Sequence, residues 1–220
     1  MPISETEKDR LLKAFEDSYT YVDRKKVWVD ADTHEVNVDA YSVRPKFKKA
    51  IPFKMGLITG HYYCDKCDLE SLHNAPHTVM GNFICSSNYL KSLEGGPTSV
   101  GSDMYNGGLY SCAVNFMHNF EGAPTDFSGH FLGTEQLGTG LTSVDGIPIN
   151  SSKVTISAQP KLPLLKLTQY SQVELRYPHL GGVNKKLTEI LKPYAGTGKP
   201  GALKAAAEMI RAGFKENARW

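Results

Sequence analysis

The chain has 220 residues, of which 40% are hydrophobic and 22% are charged, a composition typical of a folded soluble protein. Four cysteines in this length are too few for a small scaffold that depends on disulfides. The N-terminus has no apolar segment after its first charges, and no uncharged apolar stretch is long enough to cross a bilayer. We therefore expect a cytoplasmic protein without a membrane partner.

The formal net charge of +2 hides an uneven distribution along the chain. Residues 60–150 carry nine acidic and two basic side chains, whereas residues 151–220 carry four acidic and twelve basic ones. A negatively charged middle would repel a phosphate backbone. Nucleic acid is therefore a possible partner only for the basic C-terminal region. Its candidate residues are Lys185, Lys186, Lys192, Lys199, Lys204, Arg211, Lys215 and Arg219. A solvated lysine-rich helix face is the alternative interpretation.

Residues 1–59 are predicted to form an N-terminal cap made of a helix and a β-hairpin. Ser4 and Glu7 have the spacing of a capping box. The apolar side of the helix that follows consists of Leu11, Leu12 and Phe15. Val27, Trp28 and Val29 are separated from Val36 and Val38 by a turn from Asp30 to His34, which indicates two strands paired as a hairpin.

Residues 60–150 contain an internal repeat. The first two copies, Gly60 to Met80 and Gly81 to Gly101, match at seven positions with an offset of 21 residues, where chance would give about one match. A third copy begins at Gly108, after the insertion SDMYNG, and a less regular fourth begins at Gly129. The predicted units are residues 60–80, 81–107, 108–128 and 129–150.

Each unit opens with an aromatic residue and a cysteine at alternate positions, as in Tyr62 and Cys64. This period of two indicates a short strand with both side chains pointing inward. One unit cannot bury its own apolar face, but stacked units can. The predicted fold class is therefore α+β: a short parallel β-solenoid, leucine-rich-repeat-like, with an N-terminal helix and hairpin cap and C-terminal helices.

Residues 151–220 are predicted to hold a closing strand and a basic helical region. The strand is expected from Lys153 to Ser157. One helix should run over residues 185–192 and end before Pro193, and a second should begin near Pro200 and end at Gly213. The predicted buried stripe of the second helix consists of Leu203, Ala206, Ala207 and Ile210.

Cys64 and Cys67, followed by His73 and His77, have the ingredients of a zinc site. The repeat register favours a different interpretation, because Cys64, Cys85 and Cys112 share one column and should form a buried thiol ladder. No spacing in the chain suggests a nucleophile with a base. In the glycine-rich residues 196–201, Pro200 stands where a phosphate loop has a serine or threonine, and Pro193 stands where it has its first glycine. We expect no enzymatic activity, cofactor or metal.

If the aromatic and cysteine side chains point inward, alternation places the neighbouring residues on the outer face of the strands. Several of these are large and apolar, which favours a protein-binding patch. The insertion should protrude as a loop with Tyr105 at its tip. The candidate partner-binding residues are His61, Tyr63, Ile84, Tyr105, Leu109 and Leu132. The alternative is that the flanking helices, or residues 162–167, cover this face.

The pattern G-x-F-x-C-x-x-N-x-L-x-S-L-E-G-x-P-x-x-V, clearest from Gly81 to Val100, resembles the repeat of leucine-rich-repeat-like proteins encoded by tailed bacteriophages and some bacteria. The ending AGF-x-ENARW, from Ala212 to Trp220, is similar to the tail that often follows such repeats in phage genomes. Cys67 departs from the pattern, which has asparagine at that position in the following units. The resemblance implies a recognition scaffold that acts in the infected cell or in the virion.

We therefore expect a non-enzymatic protein–protein interaction scaffold, encoded by a phage, that binds a host or virion protein. Such a protein would act in host takeover, in the cytoplasm of the infected cell. The first alternative is a virion structural component. The second is a nucleic-acid-associated protein that uses its basic C-terminal helices. A third is that the acidic solenoid imitates nucleic acid toward a basic host protein.

Overall fold

Two β-sheets wind together into a parallel β-solenoid of about six turns, flanked by an N-terminal helix and by C-terminal helices. The computed structural model describes residues 3–138, 140–157, 159, 161–176 and 181–220. The helices are α1 (Glu5–Ser18), α2 (Gly181–Leu191) and α3 (Gly198–Arg211). Short 3₁₀ helices cover Asp103–Tyr105, Leu165–Gln169, Lys192–Tyr194 and Lys215–Asn217. The predicted fold class is confirmed.

Thirteen strands are found in the described part of the chain. In chain order they are β1 (Tyr19–Val22), β2 (Lys26–Val29), β3 (Val36–Asp39), β4 (Ser42–Pro45), β5 (Met55–Ile58), β6 (His61–Tyr63), β7 (Thr78–Val79), β8 (Phe83–Ile84), β9 (Ser99–Val100), β10 (Leu109–Ser111), β11 (His130–Gly133), β12 (Lys153–Ile156) and β13 (Val173–Leu175). The long sheet has the order β1-β4-β6-β8-β10-β11-β12-β13, and the short sheet has the order β2-β3-β5-β7-β9. The short sheet contains the return segment of each regular unit.

Antiparallel pairs lie at the N-terminal edge of both sheets. Strands β2 and β3 form the predicted hairpin, with Val27 opposite Val38, and β1 pairs with β4. The hydroxyl of Ser4 accepts a hydrogen bond of 3.2 Å from the backbone N–H of Glu7 and begins α1. The predicted cap is present, and its strand β1 was not expected from the sequence.

The core consists of side-chain columns that run along the solenoid. The rings of Tyr62, Phe83, Tyr110 and Phe131 stack in consecutive coils, with centroid distances of 5.8, 5.2 and 5.7 Å. Because β6, β8 and β10 are in register, the cysteines that follow these strands also form a column. Cys64, Cys85 and Cys112 are fully buried free thiols. The predicted thiol ladder is confirmed.

A second column is polar and ties successive coils together. The side-chain oxygen of Asn88 accepts hydrogen bonds from the backbone N–H groups of Cys67 and Leu69, at 2.9 and 3.0 Å. Its amide donates to the carbonyl oxygens of Cys64 and Cys85. Asn115 and Gln136 repeat this arrangement in the next two coils. These amides satisfy buried backbone groups where the chain turns away from the strand.

The glycine that opens each unit is required by close contact between coils. A Cβ atom on Gly129 would lie 2.0 Å from the carbonyl oxygen of Gly108, one coil earlier. A Cβ atom on Gly60 would lie 2.1 Å from the carbonyl oxygen of Tyr41. Any larger residue would push the coils apart.

The predicted buried stripe of α3 is wrong. Leu203 is 77% exposed and Ile210 is 53% exposed. The buried side of α3 is formed by Gly201, Ala202, Ala205 and Met209. These mostly small residues let α3 pack closely against the 3₁₀ helix Leu165–Gln169, and the Thr168 hydroxyl donates a 3.0 Å hydrogen bond to the carbonyl oxygen of Gly198. Close contact therefore selects the small face of α3 over the face with larger apolar residues.

The C-terminal tail completes the last coil. The side-chain amide of Asn217 donates to the carbonyl oxygens of Gln159 and Leu162, at 3.0 and 2.9 Å. The backbone N–H of Leu164 donates to the carbonyl oxygen of Asn217 at 3.1 Å. The apolar residues of the 162–167 run are buried in this coil. They belong to the core of the last coil and do not form a cover over the strand face.

Candidate functional site

The outer face of the long sheet only partly matches the predicted patch. Tyr63, Ile84, Leu109 and Leu132 are all partly exposed. Tyr63, Ile84 and Leu132 share one of two columns, in which Ser111 lies between Ile84 and Leu132. Leu109 belongs to the neighbouring column, opposite His130. Ser111 is itself buried, with its hydroxyl 2.7 Å from that of Ser86. This face is a mixed polar and apolar surface.

His61 is buried, and it does not present its ring to solvent. Its ring contacts the rings of Tyr41, Tyr105 and Tyr63, with centroid distances of 5.0, 4.8 and 5.8 Å. The Nδ1 atom accepts a hydrogen bond of 2.8 Å from the backbone N–H of Asn82. Burial lowers the pKa of His61, because the charged form loses hydration. The neutral imidazole is the centre of an aromatic cluster.

The insertion does not protrude from the solenoid as a loop. Tyr105 folds back onto His61, and the backbone N–H of Tyr105 donates to the carbonyl oxygen of Ser102 at 2.9 Å. Gly101 and Gly107, with φ values of 87° and 77°, form the base of the insertion. A Cβ atom on Gly101 would lie 1.9 Å from the carbonyl oxygen of Gly107, so this base accepts glycine alone.

The folded insertion forms one wall of an open pocket of about 340 Å³. The other walls come from the N-terminal strands and from the first repeat unit. The lining residues are Asp23, Lys25, Asp39, Ala40, Tyr41, Thr59, Met80, Met104 and Tyr105. We call this the insertion pocket. Of the predicted site residues, Tyr105 lines the pocket, and His61 contacts the ring of Tyr105. Ile84, Leu109 and Leu132 do not line the pocket.

Large apolar side chains surround the insertion pocket and are open to solvent. Met104 is 79% exposed, Tyr41 is 54% exposed and Val22 is 52% exposed. The backbone N–H of Tyr41 donates to the carbonyl oxygen of Val22 at 3.0 Å, so these two residues are neighbours. Exposed apolar residues concentrated around a concave surface are typical of a binding site.

The rim of the insertion pocket carries charged residues of both signs. Asp23 and Lys25 lie on the turn between β1 and β2, and Asp39 ends β3. One carboxylate oxygen of Asp39 accepts a hydrogen bond of 2.7 Å from the Thr59 hydroxyl. The pocket therefore combines apolar and charged side chains, as protein interfaces do.

Tyr63 packs against a neighbouring ion pair on the outer face. The guanidinium of Arg44 lies over the Tyr63 ring, 4.9 Å from its centroid. The same guanidinium forms an ion pair of 3.1 Å with Asp65. Arg44 and Tyr63 are adjacent in the register of the long sheet. Tyr63 is therefore oriented by its neighbours on the outer face.

Sequence reasoning missed Val22, Tyr41 and Met104. Val22 and Tyr41 precede the repeat, so the repeat register gives no information about them. The only feature of the sequence that points to these two residues is that each is an apolar residue close to the charged residues of a turn. Met104 lies in the insertion, where a protruding loop was expected.

Within the residues that the structure describes, no group of three or more His, Cys, Asp or Glu side chains could hold a metal ion. Cys67 belongs to the polar column, and its backbone N–H is bonded to Asn88. In the same part of the chain, no helix has both the length and the apolar character needed to span a membrane.

Searches of protein-family models, curated proteins and solved structures gave no match to this chain. The insertion pocket is therefore characterised from its own lining, which includes Tyr41, Tyr105 and the exposed Met104, and from the buried His61 that packs against both tyrosines.

Proposed function

We propose that this protein is a non-enzymatic, phage-encoded interaction scaffold that binds a host or virion protein through the insertion pocket. The observation that supports this proposal is the group of exposed apolar side chains, Val22, Tyr41 and Met104, around an open pocket. Exposing apolar side chains of this size to water is energetically unfavourable unless a partner covers them.

A protein partner fits this site better than a small molecule. The apolar side chains lie on the rim as well as in the walls, so an extended surface is needed to cover them. Met104 is unbranched and adaptable, which suits a contact with a protein side chain. Tyrosine is enriched among the residues that dominate binding energy at protein interfaces. The partner would insert an apolar or aromatic residue between Tyr41 and Tyr105.

The insertion pocket is already in a binding-competent form. His61 packs against Tyr41 and Tyr105 and fixes both rings. The carbonyl oxygen of Ser102 accepts hydrogen bonds from the backbone N–H groups of Tyr105 and Gly107, which hold the insertion in its folded form. Such a site loses little conformational entropy when the partner binds.

The experiment compares capture by the wild type and by a Tyr41→Asp/Met104→Asp variant from a lysate of phage-infected bacteria, treated with nuclease. The matched control is Ile149→Asp, which changes an apolar residue of similar exposure elsewhere on the surface. We expect one protein to be captured by the wild type and the control but not by the pocket variant.

The captured protein is then purified and titrated against each variant. We expect the pocket variant to bind about 30-fold more weakly or worse, which corresponds to about 2 kcal/mol. Equal affinity for all three proteins would overturn the proposal. Capture that occurs only in a parallel lysate without nuclease would instead support the nucleic-acid alternative.

A further inference from the structure

Two exposed apolar surfaces lie outside the insertion pocket. The first is the outer side of α3, formed by Leu203, Ala206, Ala207 and Ile210; we call it the helix stripe. The second consists of Tyr89, Phe116 and Leu137 in three successive coils; we call it the aromatic ridge. Leu203, Ile210, Tyr89 and Leu137 are exposed large hydrophobic residues.

The aromatic ridge follows the polar column directly in the sequence. Each ridge residue comes immediately after one of the buried amides Asn88, Asn115 and Gln136. Because those amides stack in register, the ridge residues are stacked as well. The rings of Tyr89 and Phe116 are nearly parallel, at a centroid distance of 6.0 Å. They line a cleft of about 320 Å³ together with Glu70 and Lys91.

The helix stripe and the aromatic ridge have the same length. Leu203 and Ile210 are seven residues apart in α3, which corresponds to about 10 Å at 1.5 Å per residue. Tyr89 and Leu137 are separated by two coil spacings, which is also about 10 Å. A helix that lies along the ridge would place Leu203 and Ile210 at its two ends, with the small residues Ala206 and Ala207 over Phe116.

Exposed cations flank the helix stripe, whereas the charges beside the aromatic ridge are two anions, Glu70 and Glu135, and one cation, Lys91. Lys199, Lys204 and Arg211 are exposed on the same helix as the stripe. Glu70 lines the ridge cleft, and Glu135 is exposed two residues before Leu137. Glu70, Glu135, Lys204 and Arg211 form no ion pair with any residue that the structure describes. Among the described residues that line the cleft, Lys91 is the only cation.

We propose that the helix stripe of one copy docks on the aromatic ridge of a second copy of this chain. The contact joins two different surfaces, so it leaves a ridge free on one copy and a stripe free on the other. Copies can therefore add head to tail. A symmetric contact between two stripes is disfavoured, because it would bring together the cations Lys204 and Arg211 of both copies.

The first test is the mass of the purified protein in solution, measured by sedimentation over a series of concentrations. At low salt the average mass should rise with concentration beyond that of two chains. At about 1 M salt, where charges are screened beyond about 3 Å, the mass at a given concentration should be lower than at low salt, while the apolar contacts maintain some association. A mass of one chain at all concentrations up to about 1 mM, the limit of weak specific binding, would overturn the proposal.

The second test uses two variants that each remove one side of the contact. The stripe variant is Leu203→Asp/Ile210→Asp, and the ridge variant is Tyr89→Asp/Leu137→Asp. All four side chains are exposed in the single chain, so both variants should fold, which circular dichroism and a thermal melt would verify. Each variant alone should have the mass of one chain. The control, Ile149→Asp, should associate like the wild type.

The third test mixes the stripe variant with the ridge variant. The mixture retains one intact stripe and one intact ridge, on different molecules. It should therefore form a complex of two chains and grow no further. Absence of a complex, or association of the ridge variant alone, would overturn the pairing of stripe with ridge. Neither variant changes the insertion pocket, so failure here is separate from failure of the proposed function.

Discussion

The side-chain amide of Asn115 donates a hydrogen bond of 3.1 Å to the carbonyl oxygen of Cys85, one coil earlier in the solenoid. It also donates to the carbonyl oxygen of Cys112 in its own coil, at 3.0 Å. Its side-chain oxygen accepts a bond of 3.1 Å from the backbone N–H of Leu90. Asn115 is fully buried. One side chain therefore satisfies backbone groups of two coils that water cannot reach.

An Asn115→Ala substitution should lower the free energy of unfolding by about 1–3 kcal/mol, because it leaves the buried N–H of Leu90 without a partner. The carbonyl oxygens of Cys85 and Cys112 keep their bonds from Asn88 and Gln136. Urea denaturation would measure the loss. Asn119→Ala is the matched control, since Asn119 accepts a single exposed bond from the backbone of Glu121. A loss below about 1 kcal/mol for Asn115→Ala would contradict the role of the polar column.

The repeat register predicted the solenoid because it records which residues face inward in every coil. The column of Cys64, Cys85 and Cys112 followed directly from it. The departure at Cys67 has a local explanation: its backbone N–H is bonded to Asn88 of the next coil, and its carbonyl oxygen accepts a 2.8 Å bond from the N–H of Lys49. The first unit therefore contributes no side-chain amide to the polar column.

The parts that the sequence did not predict depend on contacts outside the repeat. The insertion is held by Tyr105 on His61, two residues that no repeat column relates. In α3, hydrophobicity favoured burial of Leu203, whereas close packing against the 3₁₀ helix selected the smaller Ala202 and Ala205. Steric fit between distant segments decided both outcomes. A periodic sequence pattern contains no information about that fit.

The thiols of the ladder should react slowly in the folded protein. Burial raises the pKa of Cys64, Cys85 and Cys112, and the reactive species is the thiolate. Labelling with a disulfide reagent at mildly alkaline pH, followed by mass spectrometry, should modify these three cysteines only after urea is added. A Cys67→Ser variant isolates the ladder from the fourth cysteine. Rapid labelling of this variant without urea would contradict the burial of the column.

The stability of the fold should fall in mildly acidic solution because of His61. Its pKa is lowered in the folded state by burial, so the unfolded chain takes up a proton first as the pH falls. The stabilisation is complete above the ordinary histidine pKa of about 6.5 and is lost as the pH falls through the lowered value. Urea denaturation from about pH 8 to about pH 5 should show this decline.

The pKa of His130 is also lowered, by burial and by Lys153, so both histidines contribute to the slope. A His61→Gln variant removes one titrating group, and a glutamine oxygen can still accept the bond from the N–H of Asn82. The slope of stability against pH should therefore be smaller in this variant than in the wild type. An unchanged slope would show that His61 is not the source of the decline.

The tail residue Asn217 should stabilise the last coil as Asn115 stabilises an internal one. Its amide donates to the carbonyl oxygens of Gln159 and Leu162, and Asn217 is itself buried. An Asn217→Ala variant leaves the buried carbonyl oxygen of Leu162 without a donor, whereas that of Gln159 keeps its bond from the N–H of Leu162. The free energy of unfolding should therefore fall by about 1–2 kcal/mol. The matched control is Glu216→Ala, since Glu216 is exposed and interacts with Arg219 through its backbone carbonyl oxygen alone.

Hydrogen exchange would locate the effect of Asn217→Ala within the fold. The backbone N–H groups of Leu164 and Leu165 donate to the carbonyl oxygens of Asn217 and Arg219, each at 3.1 Å. These amides should lose protection in the variant, while the amides of β8 and β10 keep theirs. Uniform loss of protection over all coils would mean that the tail stabilises the whole solenoid cooperatively. Unchanged protection at Leu164 would mean that the tail does not cap the last coil.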